Sequence, residues 1–164
     1  MKHKIIIISV TALFLIFSSA VFAANPDFSG TWALDKTKSE GLPPGMDQTM
    51  TVKQTGDKIS LETKLTTEQG EQTVPDSYML DGKETDFTPK APNGATGKGK
   101  RTAKWTTDGF EVQESVAFDT PDGNVTVKMS RKWTLSADGK TLKIEITAEN
   151  PNGTQHITRT FNKK

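Results

Sequence analysis

The sequence predicts an all-β domain, an antiparallel up-and-down meander that closes into a barrel of about 8–10 strands. Three observations predict it. Turn pairs punctuate the chain at short intervals: Gly56-Asp57, Asp81-Gly82, Asp108-Gly109, Asp122-Gly123, Asp138-Gly139 and Asn152-Gly153. Such pairs tolerate the positive φ that tight hairpins need. The runs between them alternate apolar and polar residues with the period of a strand that has one buried face. Threonine, whose branched carbon fits a pleated surface, occurs 23 times after residue 23.

The N-terminal segment stands apart from this pattern. Lys2, His3 and Lys4 precede an apolar run from Ile5 to Phe17, followed by Val21 and Ala23 at the −3 and −1 positions of a cleavage site. This is the form of a secretory signal peptide covering residues 1–23. The run is too short for a membrane span, which needs about 20 apolar residues. Cleavage leaves 24–164 as one domain, with no stable membrane span and an exported location, periplasmic or extracellular. The domain carries 19 basic and 20 acidic side chains. That balance leaves no electrostatic footprint for nucleic acid. The absence of cysteine excludes disulfides, thiol nucleophiles and thiolate metal sites.

Strands are expected at about 28–35, 47–54, 59–66, 72–80, 84–88, 98–105, 110–118, 124–135, 141–149 and 154–162. Pro43, Pro44 and Gly45 make a loop, and Pro89 to Gly99 makes another at a barrel mouth. Only 38 of the 141 residues after the leader are apolar. That is thin for a solid core and suits a barrel with a partly polar interior.

Alternation assigns faces. Phe110, Val112, Glu114, Val116 and Phe118 share one face, as do Val125, Val127, Met129, Arg131, Trp133 and Leu135. Arg101 joins Ala103 and Trp105, and Arg159 joins Ile157 and Phe161. Four charges therefore lie on the apolar side. Pairing Trp105 with Phe110 sets Arg101 opposite Glu114, and pairing Phe118 with Val125 brings Arg131 onto its diagonal. The expected cluster is Glu114 held by Arg101 and Arg131. Pairing Leu142 with Phe161 sets Ile144 opposite Arg159. A charge away from water must be paired, wet or liganded. Either these groups neutralise one another, or spare guanidinium charge meets an anionic head such as a carboxylate.

Phe28-Ser29-Gly30-Thr31-Trp32-Ala33-Leu34 has the form F-x-G-x-W-x-L. It resembles the first strand of the calycins, which include the lipocalins, the fatty-acid-binding proteins and bacterial lipocalin-like domains. Gly30 permits close chain approach and Trp32 closes the barrel base. Thr158-Arg159-Thr160-Phe161 resembles the last strand of fatty-acid-binding proteins, whose arginine and following tyrosine grip a carboxylate. In lipocalins a late arginine packs over the first-strand tryptophan, so the resemblance offers Arg159 two roles. Phe161 departs from the pattern by lacking the tyrosine hydroxyl. The segment between the first two strands is too short for a helical lid. The bacterial lipocalin-like group matches best, and it implies ligand binding.

The catalytic inventory is poor. His156 is the single histidine of the domain and alternates onto the polar face. Asp119 and Asp122 lack the ligand set of a calcium loop and read as turn residues. No metal, cofactor or catalytic centre is expected, and the protein reads as no enzyme. The leading expectation is a lipocalin-like barrel that binds or sequesters a small hydrophobic or amphipathic ligand. Arg159, Arg131, Arg101, Glu114, Trp105, Trp133, Met129 and Phe161 are the candidate ligand-binding residues. Ile59, Leu61, Leu65, Val112, Met129, Ile144 and Ile146 are the expected pocket lining. The alternative is a cell-envelope interaction module whose barrel is filled.

Overall fold

Alternation becomes architecture strand by strand in the computed structural model, which describes residues 25–89, 96–120 and 123–164. The leader, residues 90–95 of the mouth loop and Asp122 lie outside the described residues. Ten strands follow in order. They are β1 (Gly30–Leu34), β2 (Asp47–Thr55), β3 (Lys58–Thr67), β4 (Gly70–Met79), β5 (Asp81–Phe87), β6 (Lys98–Thr106), β7 (Gly109–Thr120), β8 (Gly123–Leu135), β9 (Thr141–Asn150) and β10 (Gly153–Lys163). All pairings are antiparallel, in the order β4-β3-β2-β1-β10-β9-β8-β7-β6-β5. β1 pairs with β10, Leu34 opposite Phe161, so the meander wraps into a nearly closed, calycin-like barrel. The β1–β2 connection holds one turn of 3-10 helix, Lys36–Lys38, capped by the Asp35 carboxylate.

The hairpin registers match those read from the alternation. Trp105 faces Phe110, Arg101 faces Glu114, Phe118 faces Val125 and Glu114 faces Met129. Leu142 faces Phe161 and Ile144 faces Arg159.

One expected hairpin does not form. Asp81-Gly82 turns a corner instead, and β4 and β5 stand at opposite ends of the strand order with no ladder between them. Contacts at the corner are the physical cause. The Leu80 amide is tied to the Asp57 carbonyl at 2.8 Å, Lys83 N donates to the Asp81 carboxylate at 3.0 Å, and Gly82 has φ of 75°. β5 leaves this corner bonded to β6 alone, with a register irregularity between Asp81 and Glu84. The two free edges are blunted. β4 carries Pro75, which has no amide to offer, and β5 carries Lys83, Glu84 and Asp86.

The core gathers at the end where the chain enters the barrel. Phe28, Trp32, Phe110, Leu142 and Phe161 are fully buried there. Trp32 donates from Nε1 to the Phe28 carbonyl at 2.9 Å, and the Phe28 and Phe110 rings meet edge to face, 4.8 Å apart. Gly30, at φ of 139°, lets Lys163 cross the strand, and the Lys163 ammonium sits 5.2 Å from the centre of the Trp32 ring. Lys163 therefore covers the first-strand tryptophan, a position that the resemblance had offered to Arg159.

Candidate ligand-binding cavity

Above the aromatic plug the inward faces turn polar, and the strands set a belt of charge. β7 presents Glu114, β6 Arg101, β8 Arg131, β4 Asp76 and β10 Arg159. Glu114 is 7% exposed. Its Oε1 accepts from Arg101 Nε at 2.6 Å, and its Oε2 accepts from Arg131 Nη1 at 2.7 Å. This is the expected cluster, with one member more. Arg101 also donates to both oxygens of Asp76, at 2.7 and 3.2 Å, and to the Ser77 carbonyl at 3.0 Å. Burial works to lower the pKa of Arg101, but the Asp76 hydrogen bond and charge, with Glu114 behind them, raise it overall. The guanidinium stays charged and paired.

Arg159 is the exception. It donates from Nη1 to Gln48 Oε1 at 2.8 Å, and no carboxylate meets it among the described residues. Its buried Nε has no acceptor within the described protein, and neither has the buried Nε1 of Trp133. Burial first, then the nearby Arg131 charge, lowers the pKa of Arg159. Three guanidiniums against two carboxylates leave the belt with one uncompensated positive charge.

Arg159 and Trp133 line the same cavity, of about 260 Å³. Gln48, Asp76 and Arg131 supply its other polar wall, and Met50, Leu61, Val74, Ile144 and Ile146 its apolar one. The cavity thus combines apolar surface with a few convergent donors, the general make-up of a small-molecule site. Two larger concavities, of about 510 and 570 Å³, lie largely on the outer face of β5–β9 among side chains such as Lys100, Gln113, Ser115 and Lys128.

Of the eight candidate residues, the structure brings Arg131, Trp133 and Arg159 to the interior cavity. Arg101 stands outside that lining, within the charged belt. Glu114 is the belt's bridge and, with Met129, borders the first outer concavity. Two candidates sit away from the cavity. Trp105 donates from Nε1 to Asp57 at 2.8 Å and packs on Phe28 and Phe110, and Phe161 is a fully buried part of the plug. Both lie at the closed end because their strand positions pair near hairpins of that end. Among the expected lining residues, Leu61, Ile144 and Ile146 face the cavity, whereas Ile59 and Val112 are fully buried core. Gln48, Asp76 and Tyr78 were not foreseen. Alternation carried a signal for each: Gln48 keeps phase with Met50 and Val52, and Asp76 with Tyr78 and Leu80.

Among the described residues no group of three histidine, cysteine or acidic side chains could hold a metal ion. No described helix is long and apolar enough to cross a membrane.

No protein-family model matches the chain, and no curated protein matches it in sequence. Solved structures do match. The zebrafish ileal bile acid-binding protein, complexed with cholic acid, superposes with a TM-score of 0.51 at 19% identity, covering 84% of this chain and 98% of that one. The fold is a calycin-like barrel. Secretory abundant heat soluble protein 4 from Ramazzottius varieornatus matches with a TM-score of 0.46 at 15% identity, over 84% of this chain and 94% of that one. At 19% identity the likeness to the bile acid-binding protein speaks for architecture alone, and the chemistry of this barrel rests on its own side chains.

Proposed function

We propose that this barrel binds a compact, amphipathic monoanion, its charged head at Arg159 and Trp133 and its apolar body against Met50, Leu61, Ile144 and Ile146. The observation that carries the reading is that Arg159 and Trp133 both line one cavity, and that each has a buried donor, Nε and Nε1, without a protein acceptor among the described residues. A buried donor left unpaired costs about 1–3 kcal/mol, more when charged. An anionic head removes that cost and balances the single surplus charge of the belt. A carboxylate suits the planar guanidinium fork. The cavity, at about 260 Å³, is below the usual range of about 300–1,000 Å³, which favours a compact ligand. That a barrel of similar fold is complexed with cholic acid supports the general class.

The test is a matched pair of probes, naphthoate and the isosteric but uncharged naphthamide, titrated while the Trp133 indole N–H is followed by NMR. Naphthoate is expected to bind about tenfold tighter or better, as a charge-assisted hydrogen bond implies, and Arg159→Met is expected to level the two. Equal binding of both probes, or none, would overturn the reading in favour of a barrel that acts through its outer surface. Export belongs to the same proposal. Protein recovered from outside the inner membrane of an expressing bacterium should begin at Ala24, and a chain that keeps Met1 and stays membrane-bound would refute cleavage.

A further inference from the structure

β4 ends the strand order, and an edge strand carries a row of backbone groups that another chain can pair with. Along an antiparallel strand these groups alternate between its two sides. Ser77 marks the outward set of β4, because its bonds run away from β3. Its N–H donates to the Asp76 carboxylate at 2.8 Å, and its carbonyl accepts from Arg101 of β6 at 3.0 Å. By alternation Glu71, Thr73, Pro75 and Met79 face the same way. Two consecutive outward positions are therefore closed, since Pro75 has no N–H to give. They lie in the middle of a ten-residue strand, with Glu71 and Thr73 on one side and Met79 on the other. Arg101 is aimed at this edge by its own supports. Glu114 holds it from behind, and its guanidinium carbon lies 4.8 Å from the ring centre of Tyr78 and 4.3 Å from that of Phe87. From there it donates to both oxygens of Asp76, at 2.7 and 3.2 Å.

We infer that β4 is a latent interface for a second copy of this chain, and that Pro75 and the Arg101–Asp76 pair hold it closed. The strand itself names the occupant. Val74 and Met79, 41% and 49% exposed, are the large hydrophobic side chains left in water among the described residues, and both belong to β4. A bare antiparallel edge with exposed apolar side chains can pair with its own copy about a two-fold axis, and that contact closes on itself as a dimer. Main-chain bonds supply the affinity in strand addition, and the central ones are those that Pro75 and Ser77 withhold. The other edge, β5, carries the charges of Lys83, Glu84 and Asp86, so β4 is the edge that needs a guard. The guard acts whether or not the cavity holds a ligand.

Pro75→Val with Asp76→Ala reopens the edge. The first restores an outward N–H at an exposed position. The second removes the acceptor of the Ser77 N–H and the hold on Arg101. Sedimentation velocity over a concentration series reads the mass, and amide exchange reads the site. The wild type should stay monomeric throughout. The double variant should form a dimer in which the amides of Glu71, Thr73 and Ser77 exchange about tenfold more slowly than in the wild type. Adding Thr73→Pro withdraws one more outward N–H without touching the β3 ladder, and it should weaken the dimer about tenfold. A folded double variant that stays monomeric overturns the inference. So does a dimer whose β4 amides exchange as in the wild type, or one indifferent to Thr73→Pro, because its contact lies elsewhere. A wild type that already dimerises overturns the guard. Should the double variant fail to fold, Pro75→Val alone decides: a β4-paired dimer at the highest concentration reached supports the guard, and a monomer overturns it.

Discussion

At the closed end of the barrel Phe28, Trp32, Phe110 and Phe161 are fully buried, and the indole of Trp32 is satisfied by the Phe28 carbonyl. In the belt above it, Arg101, Glu114, Arg131 and Asp76 hold one another in a chain of ion pairs, and among the described residues Arg159 is bonded only to Gln48. Both regions are enclosed by the same strands, yet they obtain order by different means. The plug gains from area removed from water, a term that needs no partner of matching charge. The belt gains little net energy, because desolvation of each ion offsets most of its attraction. What the belt supplies is position: guanidinium groups held at fixed points on the cavity wall.

The largest expected effect breaks the plug. Phe110→Ala removes a ring that meets Phe28 edge to face and stacks on Trp133 at 5.0 Å. It should cost about 4 kcal/mol in urea unfolding, as large core truncations do. A loss below about 1 kcal/mol would mean that the plug is not the barrel's main support.

Glu114→Gln comes next. It leaves Arg101 and Arg131 short of a charge and should cost about 3 kcal/mol. The sharper form is the double replacement Glu114→Leu with Arg131→Met, which leaves Arg101 with Asp76 and should recover most of that loss. If the double variant is no more stable than Glu114→Gln, the belt contributes stability in its own right and the contrast with the plug fails.

Arg159→Met carries the opposite sign. Replacing a desolvated, uncompensated guanidinium by an apolar chain of similar length should raise stability by about 1 kcal/mol, in the same variant that loses preference for an anionic probe. A lower melting temperature would show that Arg159 is structural.

The smallest effect lies outside both regions. Asp35 accepts from Thr37 and from Asn162 of β10, and these bonds hold its carboxyl at a pKa of about 2, below the usual 3.8. A depressed folded pKa gives a contribution that is complete above the unfolded value and is lost as the pH falls through the folded one. Between about pH 3.8 and 2, unfolding of the wild type should therefore steepen slightly relative to Asp35→Asn. Parallel acid limbs for the two proteins would contradict this.

The strands and their registers were legible because alternation and turn pairs are local signals, and the Glu114 cluster followed from register alone. The unpaired edges of β4 and β5 were not legible. Asp81-Gly82 carries the residues of a hairpin, and the Leu80–Asp57 contact that redirects the chain is not a local one. Asp76 shares the phase of Tyr78 and Leu80, but Val74 and Pro75 stand side by side before it and blur the alternation of β4. The partner of Arg159 lies 111 residues away, on a strand joined to β10 only through β1. Lys163 over Trp32 likewise depends on the closing pair of strands, which no single hairpin foretells.

That closing pair also sets the order of events when the chain is made. β1 is complete at Leu34, and its outer neighbour β10 begins at Gly153. At a ribosome's pace β1 waits roughly ten seconds for its partner. Until β10 joins, β1–β4 and β5–β9 can form only two separate sheets, with four bare edges between them. Non-local pairings form late and slowly. A chain that stalls before the eleven residues of β10 therefore has every hairpin but the last and no barrel, and it presents bare strand edges to whatever stands nearby.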